Sequence, residues 1–152
     1  MSSSDLKGEA CNCLALRQAA RLATQFYDQH LASSGLRTTQ FSILAKLKRL
    51  GPTAINALAA ELVVDRTTLG RNILPLERDG LIRIAPSAAD ARSKELQLST
   101  KGAARLADAA PKWIEAQKRF ESAYGKGRSA ELRALLRAVV TSELGATPLT
   151  GE

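Results

Sequence analysis

Arg66, Thr67, Thr68 and Arg71 stand close together in a short polar stretch opened by Asp65. An arginine guanidinium is the group that pairs bidentately with a guanine edge, so this cluster suits contact with nucleic-acid bases. A further arginine follows in Asp90-Ala91-Arg92, within a polar turn between two apolar runs, and two thiols, Cys11 and Cys13, precede a long helical pattern. The first two groups point to a polyanion and its bases, the third to thiol chemistry.

The polar stretch presents these side chains only if it is helical. Asp65 is a good N-cap, and Leu69, Ile73 and Leu76 recur at helical spacing, which turns one apolar stripe inward and leaves Arg66, Thr67, Thr68 and Arg71 on the other side. They fall in the first two turns, where recognition helices make their base contacts. Taken alone, the segment fits an ordinary amphipathic helix with a solvated face equally well.

The flanks decide. Upstream, Thr53 is read as the cap of a short helix from Ala54 to about Leu62, with Ile55, Leu58, Ala59 and Leu62 inward, and Val63-Val64 makes the tight connection a helix-turn-helix needs. Downstream, Asp79-Gly80 ends the reading helix, and Leu81 to Ile84 starts a strand. A turn from Pro86 to Arg92 leads to a second strand, Glu95 to Leu98, and Ser99 caps a long final helical region. The hairpin is thus a projection between helices. Pro75 removes the amide that would bond the Arg71 carbonyl and is read as a bend after the reading turns. Asn72, Lys94, Thr53 and Asn56 complete the candidate DNA-contacting set beside Arg92 and the four helix residues, with Lys46 and Lys48 as candidate phosphate contacts.

Charge agrees. The chain carries 22 Lys+Arg against 15 Asp+Glu, with a pI near 9.9. Between Arg37 and Gly102 there are 11 basic and 6 acidic residues, so most of the excess sits on the reading module, as phosphate attraction requires and as a merely solvated surface also allows.

At 152 residues the chain reads as one domain over 11–144, with dimerisation helices at 11–34 and 99–144 around a winged helix-turn-helix at 37–98, and loose tails at 1–10 and 145–152. No run of 18 apolar residues and no secretory signal pattern is present, which predicts a soluble, cytoplasmic protein that meets no membrane. The outer helices carry apolar stripes: Leu16, Ala19, Ala20, Ala23, Phe26, Tyr27 and His30; then Leu106, Ala109, Ala110, Trp113, Phe120 and Tyr124; then Leu132, Leu135, Leu136, Val139, Val140 and Leu144. That is more apolar face than the small module covers. Pairing of two chains would bury it and set two reading helices about 34 Å apart, one DNA turn, on a pseudo-palindromic operator. A monomeric bundle is the alternative. Pro111 is expected to kink the long helix before Trp113.

These features resemble the MarR family of transcriptional regulators over roughly Cys13 to Leu144. The wing Asp90-Ala91-Arg92 followed by Leu98-Ser99 and Gly102 is similar to the family's D-x-R…L-T-x-x-G, with Ser99 in place of the usual threonine. The stretch Asp65-Arg66-Thr67-Thr68-Leu69-Gly70-Arg71 ahead of Leu76-Glu77-Arg78-Asp79-Gly80-Leu81 matches as well. The resemblance implies a mainly α fold with a β-hairpin wing, a homodimer, Arg92 in the minor groove, and Arg66, Thr67, Thr68 and Arg71 in the major groove. It also implies a small-molecule effector or a redox signal acting between the dimer helices and the reading module. The alternative function is a helical protein-interaction module of winged-helix shape.

Nothing supports an enzyme or a cofactor. His30, the single histidine, has no carboxylate or nucleophile at a telling spacing, and Gly125-Lys126-Gly127 reads as a turn between helices. Cys-x-Cys with one distant histidine falls short of a zinc site, so no metal is expected. The two cysteines are either small residues at a helix start or a redox pair, since a helix N-terminus with Arg17 one turn along would lower the pKa of Cys13. The segment Asn12 to Leu16 with Tyr27 resembles the organic-hydroperoxide-sensing branch of the family, where a tyrosine hydrogen-bonds the reactive cysteine. Arg17 stands where that branch usually has another tyrosine.

Overall fold

The computed structural model describes residues 10–146. Six helices and three short strands follow in the order α1 (Asn12–Leu31), α2 (Thr38–Leu50), β1 (Thr53–Ala54), α3 (Ile55–Leu62), α4 (Arg66–Arg78), β2 (Ile82–Pro86), β3 (Lys94–Leu98), α5 (Thr100–Tyr124) and α6 (Lys126–Thr141). The strands form one antiparallel sheet in the order β1-β3-β2. This is the mainly α winged helix-turn-helix with outer helices that the sequence predicts. The tails foreseen at 1–10 and 145–152 lie almost wholly outside the described residues, and Gly145 and Ala146 belong to a 3-10 turn, Glu143–Ala146.

The core lies inside the reading module. Leu69, Ile73 and Leu76 of α4 are buried with Leu58 of α3, Phe41, Ile43, Leu44 and Leu47 of α2, Leu81 and Ile82 at the start of the wing, and Leu96 of β3. Leu31 and Leu106 bring the ends of α1 and α5 into the same cluster. Phe41 stacks on Trp113 with ring centroids 5.9 Å apart, which ties α2 to the middle of α5.

Two readings need correction. Thr53 does not cap α3: its hydroxyl donates to the Gly51 carbonyl, its backbone pairs with Leu96, and Ala54 is the N-cap. The hairpin therefore gains a third strand, because β1 adds to the edge of β3. The chain also forms a full helix over Thr38–Leu50. Its N-cap, Arg37, has no side-chain acceptor, and Asp28 of α1 reaches across to accept from the Thr38 amide at 2.7 Å, while Gln40 accepts from the Arg37 amide at 3.0 Å. At the other end of the chain, α6 begins at Lys126, so Gly125 alone breaks the α5–α6 run, and Leu144 lies beyond the helix. The two prolines sit inside their helices. Both α4 and α5 continue through Pro75 and Pro111, and the carbonyls each proline leaves unbonded belong to exposed residues, Arg71 and Ala107, within reach of water.

Two backbone positions fix how the elements meet. Val63, between α3 and α4, takes left-handed dihedrals (φ 54°, ψ 48°) and donates its amide back to Ala60. Gly102, in the first turn of α5, sits so close to β2 that a Cβ there would lie 2.0 Å from the Leu81 carbonyl oxygen. Ser99 closes the same corner. Its hydroxyl donates to the Gly80 carbonyl at 2.6 Å and accepts from the Gly102 amide at 2.9 Å, and its own amide donates to the Leu81 carbonyl.

Gly102→Ala is expected to destabilise the fold by about 1–3 kcal/mol, because backbone rather than a mobile side chain must give way. Gly127→Ala, on a helix with nothing within 4 Å, is expected to be neutral or stabilising by up to about 1 kcal/mol. Chemical denaturation followed by circular dichroism separates the two; equal stability of both variants would refute the close approach.

Candidate nucleic-acid interface

The reading surface begins at the Asp65 cap. Asp65 Oδ1 accepts from the Thr68 amide at 2.6 Å, and Oδ2 accepts from the Thr68 hydroxyl at 2.9 Å. These bonds hold the Asp65 carboxyl below the ordinary aspartate range, with the Arg71 charge adding to the effect. With α4 started there and its apolar stripe buried, Arg66, Thr67, Thr68 and Arg71 are all exposed on one side of the first two turns. Asn72 is half-buried, and Asn56, in the first turn of α3, is exposed.

The wing tip has its own organiser. Asp90 accepts from the Arg92 amide at 3.0 Å through Oδ1, its backbone carbonyl accepts from the Ser93 amide at 3.0 Å, and Ser87 closes the loop by donating its amide to the Ser93 carbonyl. The aspartate of Asp90-Ala91-Arg92 thus shapes the turn, and Arg92 projects from it exposed, with no ion pair among the described residues. Lys94 is also exposed, at the wing end of β3. Arg83, which the candidate set omitted, lies outward on β2 and donates to Gln97 Oε1 across the hairpin at 3.1 Å. Strand alternation with Ile82 and Ile84 inward was the signal for it.

Two residues change standing. Lys46 is engaged: it reaches Glu61 of α3 at 2.8 Å, and Arg49 meets the same carboxylate oxygen at 2.5 Å. The hydrogen bond and charge of Lys46, then those of Arg49, hold the Glu61 carboxyl below its usual range. This pair of cations braces α2 against α3. Thr53, in β1, is half-buried with its hydroxyl engaged at Gly51.

The cysteines stand far from this surface. Cys11 is the N-cap of α1, its Sγ accepting from the Leu14 amide at 3.4 Å, and Cys13 lies in the first turn; both are free thiols, exposed, as are Arg17 and every residue from Cys11 to Leu22. Tyr27 does not bond a cysteine within the chain. Fourteen residues along one helix separate it from Cys13 by about 21 Å, and its hydroxyl donates instead to Gln117 Oε1 of α5. Gln117 in turn donates to Glu121, which pairs with Arg133 of α6 at 3.6 Å, so one polar chain links α1, α5 and α6. Burial, then the Glu121 carboxylate, push the Tyr27 phenol up against the pull of Arg133. His30 is half-buried against Phe26, with Nδ1 3.0 Å from the Phe26 carbonyl, the satisfied role its helix position predicts.

Outside the module the helices end bare. Leu31 is the buried residue of α1 and Ser129 that of α6. Leu22 is 71% exposed and Leu135 67%, and Leu136, Val139 and Val140 are also exposed.

Comparison with known proteins places this geometry. Residues 36–94 match the family model described as the MarR family. The chain is 29% identical over 127 residues to the HTH-type transcriptional regulator PecS of Dickeya dadantii, covering 82% of this chain and 76% of that one. Its structure resembles that of the M. tuberculosis transcriptional regulator MosR in complex with DNA, at 38% identity and a TM-score of 0.75 over 88% of this chain and 98% of that one. It also resembles the transcriptional repressor CouR bound to a 23-mer DNA duplex, at 25% identity and a TM-score of 0.78 over 87% and 94%.

The depressed Asp65 carboxyl sets a pH dependence. A carboxylate whose folded pKa lies below its unfolded value contributes stability above the unfolded pKa of about 3.9, and that contribution is lost as pH falls through the folded value. Asp65→Asn keeps a capping oxygen and is expected to be less stable than the parent at pH 6, with the gap closing on acidification towards pH 3. Urea midpoints at a series of pH values test this; a gap independent of pH would remove the charge from the cap's role.

Proposed function

The chain belongs to the MarR family of DNA-binding transcriptional regulators, and on that premise we propose that it works as a homodimeric repressor whose two reading modules grip a pseudo-palindromic operator. Arg66, Thr67, Thr68, Arg71 and Asn72 enter the major groove, Arg92 the flanking minor groove, and Lys94 and Asn56 lie against the backbone. The observation that carries this reading is the pairing of two preorganised cationic surfaces on one module: α4 started by Asp65, and the wing arginine held out by Asp90. MosR and CouR, which share the architecture, are described in complex with DNA.

The second copy seats on α1, α5 and α6. Their uncovered apolar side chains, Leu22 of α1, Ile114 of α5 and Leu135, Leu136, Val139 and Val140 of α6 among them, are what a lone chain leaves in water, at an unfavourable ~25 cal/mol per Å² of apolar surface. Release from the operator follows either a small ligand bound between these helices and the reading module, or oxidation of Cys13. In the second case an organic hydroperoxide is reduced to its alcohol as the Cys13 thiolate becomes a sulfenic acid. Cys11 of either chain then condenses with it to a disulfide and water. Cys11 caps α1 through its sulfur, so a disulfide within one chain needs the first turn to fray. Family membership leaves the protein-interaction module without a distinguishing observation.

Arg92→Ala is expected to weaken operator binding by about 1–3 kcal/mol with no change in oligomeric state, as read by fluorescence anisotropy at fixed salt and by sedimentation. Unchanged affinity would take the wing out of the mechanism. Cumene hydroperoxide is expected to release DNA from the parent protein and not from Cys13→Ser; release from both, or from neither, assigns the signal to a ligand instead.

A further inference from the structure

The reading helix contains one hydroxyl whose proton is already committed. Thr68 Oγ1 donates to Asp65 Oδ2 at 2.9 Å, while the Thr68 amide occupies Asp65 Oδ1 at 2.6 Å. An ionised carboxylate has no proton to give, so the direction of this bond is fixed, and the surroundings keep Asp65 ionised. A threonine hydroxyl has one proton and two lone pairs. With the proton on Asp65, Thr68 faces outward as an acceptor only. It is exposed, in the first turn of α4, beside Arg66 and Thr67.

Resting on the reading of α4 as the major-groove helix, we propose that Thr68 is a specificity residue that accepts a hydrogen bond from an exocyclic amino group, selecting adenine or cytosine over guanine or thymine on the strand it faces. Phosphate oxygens only accept, so a hydroxyl with no free proton gains nothing from the DNA backbone. In the major groove the donors are the adenine N6 and cytosine N4 amino groups, whereas guanine offers N7 and O6 and thymine O4, all acceptors. A guanine or thymine opposite Thr68 sets lone pair against lone pair. Asp65 is then a positioning residue: it touches no base, yet it sets the polarity of the contact. An asparagine amide at position 65 still caps the helix through its oxygen, without the charge. Its oxygen would take the Thr68 amide and its NH2 would donate to Thr68 Oγ1, which turns the hydroxyl proton outward.

The experiment is selection of bound duplexes from a randomised DNA pool by the full-length protein, with sequencing of the bound fraction for the parent, Thr68→Val, Thr68→Ser, Asp65→Asn and Arg71→Ala. The parent is expected to enrich adenine or cytosine at one position per half-site. Thr68→Val should flatten that position by about 3- to 10-fold, the worth of one hydrogen bond, and Thr68→Ser should keep it. Asp65→Asn should move the enrichment at the same position towards guanine and thymine, with adenine tolerated because its N7 accepts. Circular dichroism checks that α4 is retained in each variant. If Arg71→Ala changes the selected sequence and Thr68→Val does not, or if Asp65→Asn leaves the base preference as it was, the acceptor role of Thr68 is overturned while the reading helix stands. If no variant changes the selected sequence, the assignment of α4 to the major groove falls with it.

Discussion

One close approach governs the geometry of this chain: the first turn of α5 lies against the Leu81 carbonyl with no room for a side chain at Gly102. Ser99 locks that contact from both sides, and Lys101 adds a bond to the Asp79 carbonyl at 2.8 Å. The end of α4, the root of the wing and the start of the 25-residue α5 therefore share one corner. Both cationic surfaces are referred to the outer helices through it. A rotation of α5 about this corner would carry α4 and the wing together, so the two cationic surfaces keep their placement relative to each other.

A second link reaches the module from the opposite side. Asp28 of α1 supplies the acceptor that Arg37 lacks, and behind it the buried Ser34 donates to the Leu31 carbonyl while Arg105 of α5 donates to the Ser34 carbonyl at 3.4 Å. The turn between α1 and α2 is thus pinned to α5. Charge is distributed with the same economy of contacts. Lys46 and Arg49 add to the basic count of the module, but both converge on Glu61, whereas Arg66, Arg71 and Arg92 have no carboxylate within ion-pair reach among the described residues. The net charge of the module overstates its free cations, and Arg66, Arg71 and Arg92 are among those left free of a partner.

The parts of this arrangement that were legible in the sequence are local. The α4 cap, its Leu69, Ile73 and Leu76 stripe, the wing turn and the Ser99 cap each depend on residues within a few positions of one another, so spacing reveals them. What escaped depends on distance along the chain. The Asp28 cap spans 10 residues, the Lys46 to Glu61 brace 15, the Thr53 to Leu96 pairing more than 40, and the Tyr27 bond to Gln117 spans 90. α2 lacked a side-chain acceptor at its N-cap because α1 provides one. Thr53 looked like a cap because threonine before a helix usually is, and a strand of two residues leaves no periodicity to read.

Val63 carries a different lesson. A β-branched residue in the left-handed region costs on the order of 1–2 kcal/mol that glycine or asparagine would not incur. Its side chain is about half exposed, so little packing compensates. The hinge between α3 and α4 is therefore a site where substitution by glycine or asparagine runs downhill in energy. A lineage that has lost stability elsewhere could recover it at this one codon without altering any group that faces DNA, which gives the reading surface mutational freedom that its own packing does not provide.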